Sequence, residues 1–480
     1  MVQFPVIMYS LTILTALVVS VSAYPASNDV SVQLAPRLVC YHTNWASIRA
    51  EPMNFTPDQI DPDMCTHLIY SFAKINPTSF LLEPYEPTDT EGPYYYKVFN
   101  DLKMQNTALK TLLAVGGWTH ASKGFSDMVK TSANRKIFID YSVTYLRQHG
   151  FDGLDLHWQY PTERGGSSSD RDGYAALATE LRAAYQTDAD ATGRERLLVT
   201  MAIPGFDWTI DTGYDIAVLA SSLDFANLMS YDLHGSWEWF KHHPAPLFED
   251  TGDTSGRAVE SVVTKLISDG MPAHMVNIGL IFYGRTWMKG SSCAINTAGE
   301  GGGPAGDYTV EPGSLAYYEV CDKLNSGMTY TWDNIRKVGY GCNDATGEWV
   351  GYDNEQSLNE KIAYLKSMGL GGGMAWALDL DDFTGTQCGA GVWPLMKVLK
   401  AGIIDSGYIV PPPIITTPVY TGPPDKFCED KVDGFYPDPA DCHKYYQCAN
   451  NITYPGDCGT LAWNPVCTCC DNVGSVPGCN

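Results

Sequence analysis

Basic residues are scarce in this chain of 480 residues: 31 Lys and Arg stand against 55 Asp and Glu, a formal net charge of −24, and no Lys/Arg-rich run breaks the pattern. A surface of that sign repels phosphate backbones and anionic headgroups, so neither nucleic acid nor a membrane surface is expected as a partner. Long apolar runs are lacking too. The one extended apolar stretch, 6–21, is short, is interrupted by Ser10, Thr12 and Thr15, and has no positive charge before it. It ends in Val21-Ser22-Ala23, a small-residue cleavage pattern, and 1–23 is read as a signal peptide removed on export. A single membrane anchor is the alternative, and the length argues against it.

What is present points to a large folded body. The chain is 44% hydrophobic and 12% aromatic, enough to bury a sizeable core and leave room for a small extra domain. Of fourteen cysteines, eight crowd between Cys428 and Cys479, which fits an oxidising compartment and a disulfide-stapled module. Secretion is therefore the expected localisation, with Asn54 and Asn451 as candidate glycosylation sites in Asn54-Phe55-Thr56 and Asn451-Ile452-Thr453.

Short β-type runs recur at 38–44, 67–73, 111–118, 151–160, 197–204, 223–231, 276–283 and 371–378. Segments of helical periodicity follow several of them, at 134–149, 171–187, 257–268 and 355–368. Parallel strands with crossover helices are the expected result, an α/β fold read as a (β/α)8 barrel, with an open doubly wound sheet as the competitor. The stretch 284–370 is too long for an ordinary loop and is read as an inserted α+β subdomain. The domain division is then barrel over 24–402, a proline-rich linker over 403–426, and a cysteine-rich module over 427–480.

The fourth run reads Asp152-Gly153-Leu154-Asp155-Leu156-His157-Trp158-Gln159-Tyr160-Pro161. Strand side chains alternate, so Asp155, His157 and Gln159 share one face while Leu154, Leu156 and Trp158 take the other. Inward polar groups near a strand's carboxyl end lie where barrel active sites form. The run resembles the signature of the family 18 glycoside hydrolases, Asp-Gly-x-Asp-x-Asp-x-Glu followed by Tyr-Pro, with two departures: His157 for Asp and Gln159 for Glu. The similarity extends from about residue 38 to 400 and includes Gly116-Gly117-Trp118, Met229-Ser230-Tyr231-Asp232, Tyr283-Gly284-Arg285 and Met374-Ala375-Trp376.

In active members, the resemblance implies, the Glu protonates the leaving oxygen while the substrate's own N-acetyl group attacks the anomeric carbon and the neighbouring Asp stabilises it. A Gln amide donates a hydrogen bond but surrenders no proton. Losing general acid catalysis forfeits roughly 10²–10⁴ in rate, about 3–5 kcal/mol. An imidazole at 157 is neutral or cationic and never supplies the anion that steadies a cationic intermediate. The catalytic positions Asp152, Asp155, His157 and Gln159 thus read as degenerate. His157 as a substitute acid or metal ligand is the competing reading, and no second His lies at ligand spacing on the strand. No cofactor or metal is expected.

By the same resemblance Trp376 floors a saccharide groove, with Tyr41, Phe72 and Met229 packed around it and Trp45 and Trp118 extending the platform. Tyr231, Asp232, Tyr283 and Arg285 are implied as polar partners of the sugar. Flat sugar faces need aromatic platforms and a few fixed polar groups, the composition kept here. The tail, with Cys428, Cys442, Cys448, Cys458, Cys470 and Cys479, resembles the peritrophin-A type chitin-binding module, and Tyr436, Tyr445, Tyr446 and Trp463 are its candidate stacking residues. Its pairing stays open. In the barrel the resemblance implies Cys40 with Cys65 and Cys321 with Cys388, leaving Cys293 and Cys342 as an additional pair. The expectation is a secreted, monomeric lectin for chitin or N-acetylglucosamine oligosaccharides that does not hydrolyse them. An active chitinase and a receptor-binding signalling protein are the alternatives.

Overall fold

The computed structural model describes residues 34–253, 257–412, 428, 434–438, 443–449, 452–458, 462–464 and 469–471. The signal segment, Asn451, Cys442, Cys479 and the linker from residue 413 lie outside the described residues.

Eight parallel strands close into a barrel: β1 (Arg37–Thr43), β2 (His67–Ile75), β4 (Lys110–Gly116), β5 (Gly153–His157), β6 (Leu198–Pro204), β7 (Phe225–Met229), β8 (Val276–Ile281) and β14 (Gly372–Trp376), the short β3 (Leu82–Pro84) lying antiparallel on β2. Closure comes from β1, which pairs with β14 on one side and β2 on the other, Cys40 opposing both Ala375 and Leu68. The open-sheet alternative is thereby eliminated. These strands read as continuous apolar runs because helices cover them outside and packed side chains fill them inside. The helix Ser132–His149 begins where the Thr131 side chain accepts from Asn134 N and ends at Gly150, whose φ of +82° suits a residue without Cβ. The helix Asp170–Thr192 buries Tyr174, Leu177, Leu181 and Tyr185 against the barrel.

Between β8 and β14 lies a five-stranded antiparallel sheet of β9 (Tyr283–Met288), β10 (Ser314–Ala316), β11 (Thr329–Asp333), β12 (Val338–Cys342) and β13 (Glu348–Tyr352), ordered β10-β9-β13-β12-β11. Trp287 and Trp349 pack beneath the Cys293–Cys342 disulfide, and Cys321–Cys388 ties the helix Tyr317–Asn325 to the segment after β14. The helix Glu355–Ser367 packs on both β14 of the barrel and β12 of this sheet. Cys40–Cys65 pins β1 to the segment entering β2.

The stretch read as linker from 403 stays bound to the barrel over its first residues. Ile403 and Val410 are fully buried, Val410 N bonds Leu34 O, and the Tyr408 hydroxyl donates to Leu370 O. The tail comprises a three-stranded antiparallel sheet, β15 (Gly434–Pro437), β16 (Lys444–Ala449) and β17 (Ile452–Asp457), and the pair β18 (Ala462–Asn464) and β19 (Cys469–Asp471). Cys428–Cys448 and Cys458–Cys470 are its described disulfides. Among the described residues no helix is long and apolar enough to cross a membrane.

Candidate functional site

The carboxyl ends of the barrel strands and the inserted sheet enclose a cleft of about 370 Å³, lined by Trp45, Trp376, Asp232, Tyr283 and Arg285 with Val310 at its rim. Its floor is aromatic. Trp45 stacks on Phe72 with ring centroids 5.9 Å apart, Phe72 stacks on Trp376 at 6.1 Å, and Tyr41 leans on Trp376 at 5.1 Å. Gly116 and Gly117 carry the chain out of β4 at φ +117° and +85°; a Cβ on the first would meet His157 O at 2.5 Å, and on the second the Phe72 ring at 2.6 Å. Only glycine fits that turn.

Asp155 and His157 face the barrel interior, as alternation requires, and Leu154, Leu156 and Trp158 are buried on the other face, Trp158 stacked on Phe125 at 4.8 Å. Asp155 is held by three donors: Tyr41 Oη at 2.8 Å, Thr200 Oγ1 at 2.6 Å and Asn227 Nδ2 at 3.5 Å. Behind them a polar chain runs through Asn277 Nδ2 to Asn227 Oδ1 and from Arg37 Nε to Asn277 Oδ1, both at 3.0 Å. His157 sits inside an aromatic box of Tyr41, Phe72 and Trp376, with its Nδ1 3.5 Å from Asp155 Oδ2, too long for a good hydrogen bond. The imidazole therefore sits against Asp155 without a good hydrogen bond to it. Burial, then the Asp155 charge, push the Tyr41 phenol well above its ordinary range, which keeps it a donor.

Gln159 is half-buried beyond the end of β5, its Nε2 3.4 Å from Tyr160 Oη and 3.7 Å from Met229 Sδ. Burial raises the Tyr160 pKa to about 12. An amide among a phenol, a thioether and aromatic rings can orient a glycosidic oxygen and has no acidic proton to give. Tyr231 is buried with Oη 3.9 Å from Met374 Sδ. Asp232, Tyr283 and Arg285 form one unit: Arg285 Nε and Nη2 donate to the two Asp232 oxygens at 2.8 and 2.7 Å, and Tyr283 Oη donates to Oδ1 at 2.7 Å. Burial works against the Arg285 charge, and Asp232 overcomes it, so the guanidinium pKa is raised.

Of the residues singled out from sequence, Tyr41, Trp45, Phe72, Asp155, His157, Trp376, Asp232, Tyr283 and Arg285 converge on this mouth, with Gln159, Met229 and Tyr231 beside them. Asp152 does not. It precedes β5 at the opposite end of the strand, where its carboxylate accepts from Thr111 N at 2.8 Å and Lys103 Nζ at 2.9 Å. In the tail, Tyr446 and Trp463 are buried, Trp463 stacked on Tyr445 at 4.2 Å, while Phe435, which sequence reasoning passed over, is 45% exposed on the same cluster. Tyr436 packs partly buried by the Cys428–Cys448 disulfide. Asn54 is half-buried next to the core residue Phe55. Thr200, Asn227 and Asn277 were also missed; polar residues inside otherwise apolar runs were the available signal. Among the described residues the one cluster of metal-ligand types, Cys293, Cys342 and Asp344, has both sulfurs joined in a disulfide.

The model of the glycosyl hydrolases family 18 matches residues 37–381, and that of the chitin binding Peritrophin-A domain matches 428–479. Chitotriosidase-1 of Mus musculus is 38% identical over 452 residues, 91% of this chain and 95% of its own. A structure described as human YKL-39, a pseudo-chitinase with retained chitooligosaccharide binding properties, superposes with TM-score 0.72 at 38% identity, covering 77% of this chain and 99% of its own. The Ostrinia furnacalis group IV chitinase gives TM-score 0.72 at 35% identity over 77% of this chain and 99% of its own. With a closed barrel and matches that span most of the chain, the chain belongs to glycosyl hydrolases family 18 and carries a C-terminal peritrophin-A module.

Proposed function

We propose that this protein is a secreted chitinase-like lectin, binding chitin or chito-oligosaccharides without cutting them. The observation that carries the reading is the pairing of an aromatic floor, Trp45, Phe72 and Trp376, with an amide at 159. The floor offers apolar faces to pyranose rings; the Asp232–Arg285 pair and the Tyr231 and Tyr283 hydroxyls fix hydroxyl and acetamido groups. Gln159 holds the glycosidic oxygen without protonating it, and His157 presents no anion to a developing oxocarbenium ion. The relative described as a pseudo-chitinase that keeps oligosaccharide binding supports the same division of binding from cleavage. Five described disulfides fit an exported chain.

The tail is the second sugar site in this reading. Two linked sites on one polymer raise avidity without new contacts, provided the linker spans them. The domain division proposed is barrel over 24–402, linker over 403–426 and tail module from 427, with Tyr408 and Val410 of the linker bonded to the barrel.

The test is oligosaccharide affinity and hydrolysis measured on one preparation of the full-length protein. Saturable binding of N-acetylglucosamine oligomers with no new reducing ends is expected. Turnover abolished by His157→Ala would replace this reading with that of an unconventional chitinase, and absence of any sugar binding would move it to a protein partner.

A further inference from the structure

We infer that Arg164 is a positioning residue of the saccharide groove, a clamp that holds the Trp118 indole as a stacking face by tying the Trp118 backbone to that of Gln159. The inference rests on the lectin reading above. The Arg164 guanidinium lies 3.7 Å over the Trp118 ring, and its Nη1 donates to Trp118 O at 2.6 Å and to Gln159 O at 3.0 Å. One side chain thus joins the segments leaving β4 and β5, the two strands that bring Trp118 and Gln159 to the mouth. Trp118 remains 60% exposed although the cation covers one face and the Tyr160 ring meets it at 6.5 Å in a T-shaped contact, so the indole keeps surface for a ligand.

The local chain is built to aim this side chain. Thr162 and Arg164 adopt left-handed backbone at φ +66° and +52°, uncommon for any residue with a Cβ and an outlier for a β-branched one. Such conformations persist only where the surroundings over-determine them, and they cluster at ligand sites. Here Asp170 Oδ2 accepts from Thr162 N at 3.2 Å and Ser167 N at 2.7 Å, while Ser122 Oγ donates to Tyr160 O at 3.2 Å and Glu163 O at 2.6 Å. Trp118 itself follows Gly116 and Gly117, the two most permissive residues a turn can have, and needs an outside brace to keep one orientation. A guanidinium supplies it in a way an ammonium does not, because it is planar, stacks on the indole and presents its donors in a rigid fork. An indole held in place before the sugar arrives loses less freedom on binding.

The experiment compares full-length wild type with Arg164→Ala, Arg164→Lys, Trp118→Ala and the Arg164→Ala/Trp118→Ala double variant. Two quantities are read: calorimetric affinity for the N-acetylglucosamine hexamer, and acrylamide quenching of tryptophan emission without ligand, the Trp118 share being the difference from Trp118→Ala. Arg164→Ala is expected to weaken the hexamer about fivefold to tenfold and to increase quenching of the Trp118 share, with Arg164→Lys restoring neither. The double variant should bind no worse than Trp118→Ala alone, because the arginine acts through the indole. Losses that multiply in the double variant, full rescue by lysine, or unchanged quenching in an Arg164→Ala protein that still binds the hexamer would each overturn the clamp. Failure of wild type to bind the hexamer would overturn the lectin reading and the clamp's part in it.

Discussion

Asp155 keeps Tyr41, Thr200 and Asn227 as donors although its neighbour on the strand face is an imidazole and the next is an amide. The polar scaffold around Asp155 is therefore still standing beside an imidazole and an amide. The double reversion His157→Asp with Gln159→Glu should produce hydrolysis of soluble chito-oligosaccharides, a rise of roughly 10²–10⁴ over wild type in reducing-end release. A folded revertant that binds sugar and cuts nothing would locate the defect elsewhere in the groove. Trp376→Ala should leave the fold intact and weaken oligosaccharide binding by about 1–2 kcal/mol in calorimetry, since the ring is the shared contact of Tyr41, Phe72 and His157.

At the scale of elements, the barrel was legible because each strand is a short apolar run and several crossover helices carry their own periodicity, whereas the short helices Asp207–Gly213 and Ile216–Ser222 do not. Strand ends were less so. The run 151–160 contributes only Gly153–His157 to the sheet, because Asp152 turns its carboxylate back onto Thr111 and Lys103 and the chain beyond His157 leaves to form the mouth. The fourth-strand motif was readable by its resemblance to the family signature, whereas Arg164 was not: its role depends on a left-handed backbone and on a tryptophan 46 positions away. The inserted sheet resisted reading for a similar reason, its order β10-β9-β13-β12-β11 being set by pairings distant in sequence. Arg49 and Asp379 are separated by 330 positions, yet their buried pair at 2.6 Å ties the turn Asn44–Ile48, which carries Trp45, to the segment after Trp376. Arg49→Ala leaves Asp379 charged and unpaired in the interior, so a loss of about 3–5 kcal/mol in urea unfolding is expected. Weaker oligosaccharide binding should accompany it.

For the whole molecule, acid is the vulnerable direction. His42 is fully buried among Phe55, Tyr70 and Phe99, and burial lowers its pKa from 6.5 to about 4; His67 is lowered to about 3, again chiefly by burial. The unfolded chain takes up these protons first, so the stability these groups contribute is complete above 6.5 and is lost as pH falls toward 4 and below. For His42 the shift corresponds to about 3 kcal/mol. Asp381 acts in the opposite sense: burial raises its pKa from 3.8 to about 7, favouring the folded state at low pH and releasing that advantage as pH rises through 7. The net slope is a difference of the two, and His42→Leu isolates one side. Its melting temperature should fall less than that of wild type between pH 6.5 and 4, whatever the constant offset between the two proteins.

The way the barrel closes has a further consequence. Tyr41 lies on β1 and Trp376 on β14, the first and last strands of the ring, and no cleft exists until they pair with each other. Sugar held in this cleft therefore recognises only the closed barrel and is expected to raise the barrel's melting temperature as its concentration rises.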